Sequence, residues 1–291
     1  VTHDHHSASN RIKNIKLAFF LNLGFTIFEL IGGFMTNSLA ITSDALHDLG
    51  DSLSLGMAWG LEQYSEKGAT RQFTYGYRRL SLLAALINTI VLIAGSLIIL
   101  SYAIPRVINP EQTNATGILL FAIVGIGVNG YAALRVSKGR SMNEKVITWH
   151  LLEDVIGWVA ILIVGIVLLV KDLYILDPIL SIIITLYVLY NVLINLKKTL
   201  LLFLQGVPSD IDMDKVELAL QSIDKVISSH HTHIWSLDGS DNVLTTHLIV
   251  EPTISRDEIK TVKSEVRSIA QNLSVKHATV DLEFDEDSCI I

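Results

Sequence analysis

The chain has 291 residues, half of them hydrophobic and 18% charged, with a mean hydropathy of +0.47. That is too apolar for a soluble domain of this length, and a net charge of −7 argues against nucleic acid as a partner. The single Cys289 excludes an intrachain disulfide framework, and the opening Val1-Thr2-His3-Asp4-His5-His6 lacks the basic patch and short apolar core of a secretory signal.

Apolar runs of about 20 residues, long enough to cross a bilayer, recur through the first two thirds of the chain, and charge returns from Pro208 onward. The sequence therefore predicts a His-containing N-terminal tail over 1–13, a six-helix transmembrane domain over 14–205 and a cytoplasmic domain over 206–291. His3, His5 and His6 in the tail read either as part of a disordered arm or as a metal-gathering one.

The first span is expected over 14–34, with Asn22, Thr26 and Glu29 on one face. A Glu there must face protein or water. Met35-Thr36-Asn37-Ser38 makes a short turn into the second span, 39–64. The third, 80–104, is expected to end at Pro105, because proline cannot donate to a helical ladder. The fourth covers 118–136, the fifth 146–170 and the sixth 175–204. Gly56 and Gly60, together with Gly125, Gly127 and Gly130, read as places where helices approach closely.

Basic residues gather in the loop after span two (Lys67, Arg71, Arg78, Arg79), in the loop after span four (Arg135, Lys138, Arg140, Lys145) and at Lys197-Lys198. The alternate loops carry Arg106 and Lys171. This asymmetry predicts both termini in the cytoplasm, and the short loops point to a cell inner membrane.

The last domain reads α-β-β-α-β: a helix over 209–222, strands over 229–237 and 243–251 around Asp238-Gly239-Ser240-Asp241, a helix opened by the capping box Ser255-Arg256-Asp257-Glu258, and a strand over 277–284. The fold class is thus an α-helical membrane protein with a small ferredoxin-like α+β cytoplasmic domain.

Two spans carry the chemistry. His47 and Asp51 in span two, and His150 and Asp154 in span five, are each four residues apart, so each pair lies on one helix face. Two facing helices of this kind present two imidazoles and two carboxylates, a tetrahedral set that suits zinc above other first-row ions. Each ionisable group costs about 2.5–3.5 kcal/mol inside a membrane segment, so the four together forfeit on the order of 10 kcal/mol when unpaired. Two His–Asp pairs holding helices together are the alternative; the repetition of the same spacing on separate helices favours a metal. Zinc requires neutral imidazole and ionised carboxylate, so protons compete with it for these residues, which is the minimum an antiporter needs. Asp44, one turn before His47, lines the access route in this reading, and Asp48 and Glu153 are expected in water-filled or cytoplasm-facing regions.

Several further motifs make the chain resemble the cation diffusion facilitator family, in its zinc-transporting branch. They are Asn37-Ser38-Leu39-Ala40 leading into Asp44-Ala45-Leu46-His47-Asp48-Leu49-Gly50-Asp51, Phe73-Thr74-Tyr75-Gly76-Tyr77-Arg78-Arg79, Asn88, Asn129, Asn143 before His150 and Asp154, Asp177-Pro178, and His230-His231-Thr232-His233-Ile234-Trp235. The resemblance covers nearly the whole chain. It implies a homodimer that exports zinc from the cytoplasm in exchange for protons through His47, Asp51, His150 and Asp154. It also implies a metallochaperone-like tail in which His230, His247 and Glu283 bind regulatory zinc, with the N-terminal histidines completing that site from the same or the partner chain. Asp281 shares a strand face with Glu283, as does His277 at a distance. Alternation places His231, His233 and Trp235 on one face and His230 on the other; for His233 a structural role beside Trp235 competes with ligation. An additional metal site that some members carry between spans two and three is expected to be absent, because Glu66–Gln72 contains no His.

The rivals are efflux of cadmium, cobalt or iron through the same donors, an intramembrane metalloenzyme, a metal sensor and a passive channel. A hydrolytic zinc site needs an open position and a general base, as in His-Glu-x-x-His, and that motif does not occur here.

Overall fold

The computed structural model describes residues 4–65, 69–137 and 142–284. His3, Lys138, Arg140, Cys289 and the 66–68 portion of the loop after the second span lie outside them. The described chain forms α1 (Asp4–Thr36), α2 (Leu39–Ser65), α3 (Leu80–Ile108), α4 (Ala115–Val136), α5 (Met142–Val170), α6 (Leu176–Phe203), α7 (Met213–Gln221), β1 (Val226–Ser236), β2 (Asn242–Val250), α8 (Arg256–Asn272) and β3 (Val275–Glu283). It divides into two compact units, one of 1–64 with 87–195 and one of 65–86 with 196–291.

In the first unit, α1 and α3–α6 each contain a stretch long and apolar enough to cross a membrane. Helix α2 has the length, at 27 residues; its lower apolarity comes from Asp44, Asp48 and Asp51. Large side chains such as Ile98 on α3, Leu134 on α4, Ile163 on α5 and Tyr190 on α6 are exposed, an outward apolar surface that water does not tolerate over this area. Polar side chains turn inward instead: Thr26, Glu29, Ser43, Asp48, Ser52, Ser181 and Thr185 are buried.

The expected spans have counterparts in α1–α6, and several element ends differ from the sequence reading. Helix α1 starts at Asp4, so residues expected as a tail extend the first helix. Pro105 lies inside α3, which continues to Ile108; in the last turn its missing N–H costs a single ladder bond. Helix α7 begins at Met213 because Asp212 caps it, accepting from the Lys215 amide, and Pro208 instead opens a turn closed by the Ile211 amide.

The α1–α2 turn is closely specified. Asn37 adopts φ 53°, the Ser38 amide bonds the Gly33 carbonyl and the Asn37 amide the Phe34 carbonyl, which together make a Schellman ending. Ser38 then caps α2, accepting from the Ile41 amide. The buried Asp177, at the start of α6, accepts from Ser38 Oγ at 2.5 Å and from the Leu39 amide at 2.7 Å. An anion is thus held at the N-terminus of α2, where the helix dipole favours it. Of the glycines, Gly125 gives the closest approach: a Cβ there would meet the Trp158 ring at 2.2 Å, and Gly56 faces Phe19. Gly60, Gly127 and Gly130 have open space around them, so they are not contact points within this unit.

In the second unit, β1 and β2 form an antiparallel hairpin and β3 runs parallel to β2, in the order β1-β2-β3. Asp238 Oδ1 closes the hairpin by accepting from the Ser240 and Asp241 amides, and Gly239 takes φ 95°. Val216 and Leu220 of α7, Val262 and Val266 of α8, and Ile234, Leu244 and Leu248 of the strands build one core, so both helices cover the same face. The capping box of α8 is formed as read, Ser255 Oγ accepting from the Glu258 amide and Glu258 accepting from the Ser255 amide. These bonds to Ser255 hold the Glu258 carboxyl below its ordinary range. The segment before α3 belongs to this unit: Arg78 pairs with Asp241, which also takes Lys276 Nζ at 3.0 Å.

Replacing Asp177 with Ala leaves the Ser38 hydroxyl and the Leu39 amide without their charged acceptor. A hydrogen bond to a charged group contributes about 1.5–3 kcal/mol, so D177A is expected to lose roughly that much stability in detergent. Thermal unfolding of the solubilised protein measures it, and an unchanged midpoint would remove Asp177 from the capping role.

Candidate metal sites

His47 and Asp51 lie one turn apart on α2, and His150 lies on α5. His150 Nε2 is 2.9 Å from Asp51 Oδ2, His47 Nε2 is 3.8 Å from the same oxygen, and the two imidazole centres are 5.6 Å apart. One donor atom from each of the three falls within 4.8 Å of the others. Two imidazoles bound to a tetrahedral zinc at about 2.0–2.1 Å hold their ring centres on the order of 5 Å apart, so the pair is spaced to share an ion. The three side chains are half-buried, and Asp51 and His150 border a cavity of about 990 Å³ between α1, α2, α4 and α5. That cavity is lined mainly by apolar residues, including Phe20, Phe25, Phe28 and Val128, with Asn22, Ser54 and Asn129 as its other polar members.

Asp154 is buried and within electrostatic reach of His150, His47 and Asp51, but its carboxyl is not part of the three-residue group. It also lies within reach of Asp44, Asp48 and Glu29. On α2, Asp44, Asp48 and Ser52 form a second polar stripe at successive i+4 positions, with Asp48 and Ser52 against α1 and Asp44 beside Gly157 of α5. There Asn22 Nδ2 donates to the Asp48 carbonyl and to Ser52 Oγ, each at 3.0 Å, and Thr26 Oγ1 meets Ser52 Oγ at 3.3 Å. Glu29 is fully buried in the same stripe. Asp48 is therefore enclosed by protein, not set in a water-filled or cytoplasm-facing region. Ser52 was not singled out from the sequence; the i+4 repeat from Asp44 was the signal for it. Glu153 is exposed and accepts from Tyr187 Oη at 3.2 Å.

In the sheet, His230 and His247 are register partners on β1 and β2, and Glu283 closes β3. Glu283 Oε1 is 2.6 Å from His247 Nδ1 and Glu283 Oε2 is 3.1 Å from His230 Nε2, so one carboxylate joins both rings, and the three form a second group able to hold a metal. Asp281 is paired in register with His247 but is exposed and outside that group. His233 and His277 are exposed, and His277 stacks edge-on with Tyr75 at 5.3 Å. The side chains of His5 and His6 are not among those described.

The family described as the cation efflux transmembrane domain matches residues 15–204, and the cation efflux protein cytoplasmic domain matches residues 208–284. A cadmium, cobalt and zinc/H(+)-K(+) antiporter of Bacillus subtilis is 32% identical, over 97% of this chain and 91% of that protein. The metal cation efflux system protein CzcD of Cupriavidus metallidurans is 31% identical over 97% and 89%, and the zinc transporter ZitB of Escherichia coli 29% over 97% and 91%.

Asp51 touches both imidazoles, so it is the residue whose loss opens the group. In protein carrying His247→Ala to disable the sheet site, Asp51→Asn is expected to weaken zinc binding at least about tenfold, the loss found even for groups that only support a metal ligand. Glu153→Gln is expected to leave binding unchanged. Equilibrium competition against a zinc chelator in detergent reads both.

Proposed function

We propose that this chain, which belongs to the cation diffusion facilitator family of cation efflux proteins, exchanges zinc for protons across a membrane and carries zinc out of the cytoplasm. The family is one of transporters, and the protein is a multi-pass membrane protein. The observation that carries the finer reading is the meeting of His47, Asp51 and His150 across α2 and α5, with Asp51 and His150 beside an open cavity. Asp154, one turn after His150, supplies the fourth donor once its carboxyl swings from the α2 stripe toward the ion. Two neutral imidazoles and two carboxylates then neutralise a divalent cation, which lowers its cost of crossing hydrocarbon.

The coupling follows from the donors. Zinc needs its imidazoles unprotonated and its carboxylates ionised, so each proton gained by the group is a vote against the metal. Lowering the pH through the range where imidazoles titrate therefore weakens zinc binding, and raising it strengthens it. A site that takes either cargo, open to one side at a time, exchanges them. The basic residues Arg71, Arg78 and Arg79 before α3 and Arg135 and Lys145 around the α4–α5 connection, set against Arg106 and Lys171, support cytoplasmic termini in a cell inner membrane. The matched cytoplasmic domain supports a homodimer, with Glu283, His230 and His247 holding a further zinc.

Nitrogen and oxygen donors also accept cobalt and cadmium, and the Bacillus relative is named for both; competition by each ion against zinc in the same assay ranks them.

The test is zinc uptake into proteoliposomes with and without an imposed pH gradient. Uptake is expected to follow the gradient in the parent and to be lost in both Asp51→Ala and Asp154→Ala. Uptake that persists in both variants would falsify the intramembrane site, and uptake indifferent to the gradient would leave a channel.

A further inference from the structure

We infer that His231 is a ligand of the cytoplasmic site, so that His230, His231, His247 and Glu283 of a single chain close a tetrahedral set around one zinc ion. The inference rests on the reading that the sheet histidines bind zinc, and it adds a donor that strand alternation assigns to the opposite face.

The register shows why alternation fails. His230 pairs with His247, but the next partner pair is His233 with Thr245, so β1 advances three residues while β2 advances two. The extra residue is a β-bulge. Thr232 Oγ1 lies 2.8 Å from Thr246 Oγ1, which keeps Thr232 opposite Thr246 and leaves His231 as the inserted residue. Its φ is 50°, in the left-handed region that a bulge of this kind normally gives to glycine. A histidine held there costs stability that the sheet alone does not require, and such outliers point toward a function.

The bulge turns the His231 ring back to the face of its neighbours. The imidazole centres of His230 and His231 are 5.4 Å apart, those of His230 and His247 5.4 Å, and those of His231 and His247 5.7 Å. This near-equilateral triangle is close to the separation on the order of 5 Å that three imidazoles take on one tetrahedral zinc; His231 stands outside the three residues whose donor atoms already lie within 4.8 Å of one another, so its ring turns toward them when the ion binds. Glu283, already within 3.1 Å of His230 and 2.6 Å of His247, provides the fourth corner. His233 lies further along the same face, opposite Thr245; it is exposed, and its ring is 6.1 Å from that of His231. Four protein donors leave no open position, the property of a holding site as opposed to a catalytic one.

The experiment uses the full-length protein in detergent with Asp51→Ala and Asp154→Ala in the background, so that the outcome does not depend on the transport reading. Zinc affinity is measured by chelator competition for this background and for added His231→Asn, His233→Asn or His247→Ala. Asparagine tolerates the left-handed conformation, so His231→Asn keeps the bulge. His231→Asn is expected to weaken zinc at least about tenfold, His233→Asn to leave it unchanged, and His247→Ala to abolish it. The visible absorption of bound cobalt(II), which loses intensity when a tetrahedral site opens to water, is expected to fall in His231→Asn even at saturating metal. Parent-like affinity and cobalt spectrum in His231→Asn, or an equal loss in His233→Asn, overturns the assignment. Parent-like binding in His247→Ala overturns the sheet site as a whole and leaves the transport reading standing.

Discussion

A carboxylate shared between two imidazoles inside a helical bundle sets the terms for the first unit. Asp51 cannot be left alone in hydrocarbon, because an isolated charge there is expensive and unrewarded. The helix that carries it is held by hydrogen bonds at several points. At its N-terminus, Ser38 and Asp177 satisfy the amides that no helix can satisfy for itself. Along one side, Asn22 and Thr26 of α1 bond to Ser52 and to the Asp48 carbonyl. Along another, Ser43 meets Ser181 at 2.6 Å. These contacts are hydrogen bonds between small polar side chains, which is the form of adhesion left to helices when lipid is as apolar as they are.

The arrangement separates two jobs that one helix performs. The stripe of Asp44, Asp48 and Ser52 is enclosed, Asp48 and Ser52 against α1 and Asp44 beside Gly157 of α5, with Glu29 fully buried beside it. The pair His47 and Asp51 meets His150 of α5, and Asp51 borders the cavity. Helical geometry makes this division simple, since two i+4 series offset by three residues run along adjacent lines of the same surface. Asp154 stands within electrostatic reach of both lines, so the position of its carboxyl determines whether the intramembrane group has three members or four.

How much of this could be read from the chain follows from which forces act locally. The helices were legible because bilayer length and apolar composition are written in consecutive residues, and the capping box at Ser255 because all of its partners lie within one turn. The His47–Asp51 and His150–Asp154 pairs were legible for the same reason. The end of α3 was misread because proline in a last turn removes little. The start of α7 was misread because Pro208 and Asp212 both resemble openings and only the latter caps. Asp48 was misplaced for want of its partner: nothing in α2 alone says that α1 brings Asn22 and Glu29 against it. Gly60, Gly127 and Gly130 share the composition of contact residues, but what a glycine touches is decided by the neighbouring helix.

The sheet site marks the limit of pattern reading most clearly. A two-residue period is reliable only while two strands advance in step. Between His230 and His233 they do not, and a single inserted residue reverses the face of everything read across it. The sequence His230-His231-Thr232-His233 offers three imidazoles; the bulge gathers the first two beside His247 and Glu283, while His233, opposite Thr245 further along the same face, stays exposed. Selection of this kind depends on the backbone at His231, whose φ of 50° no propensity for histidine would have proposed. The same donor chemistry therefore appears twice under opposite controls. In the helices, residues four apart converge by the regularity of the backbone; in the sheet, adjacent residues converge because that regularity is broken.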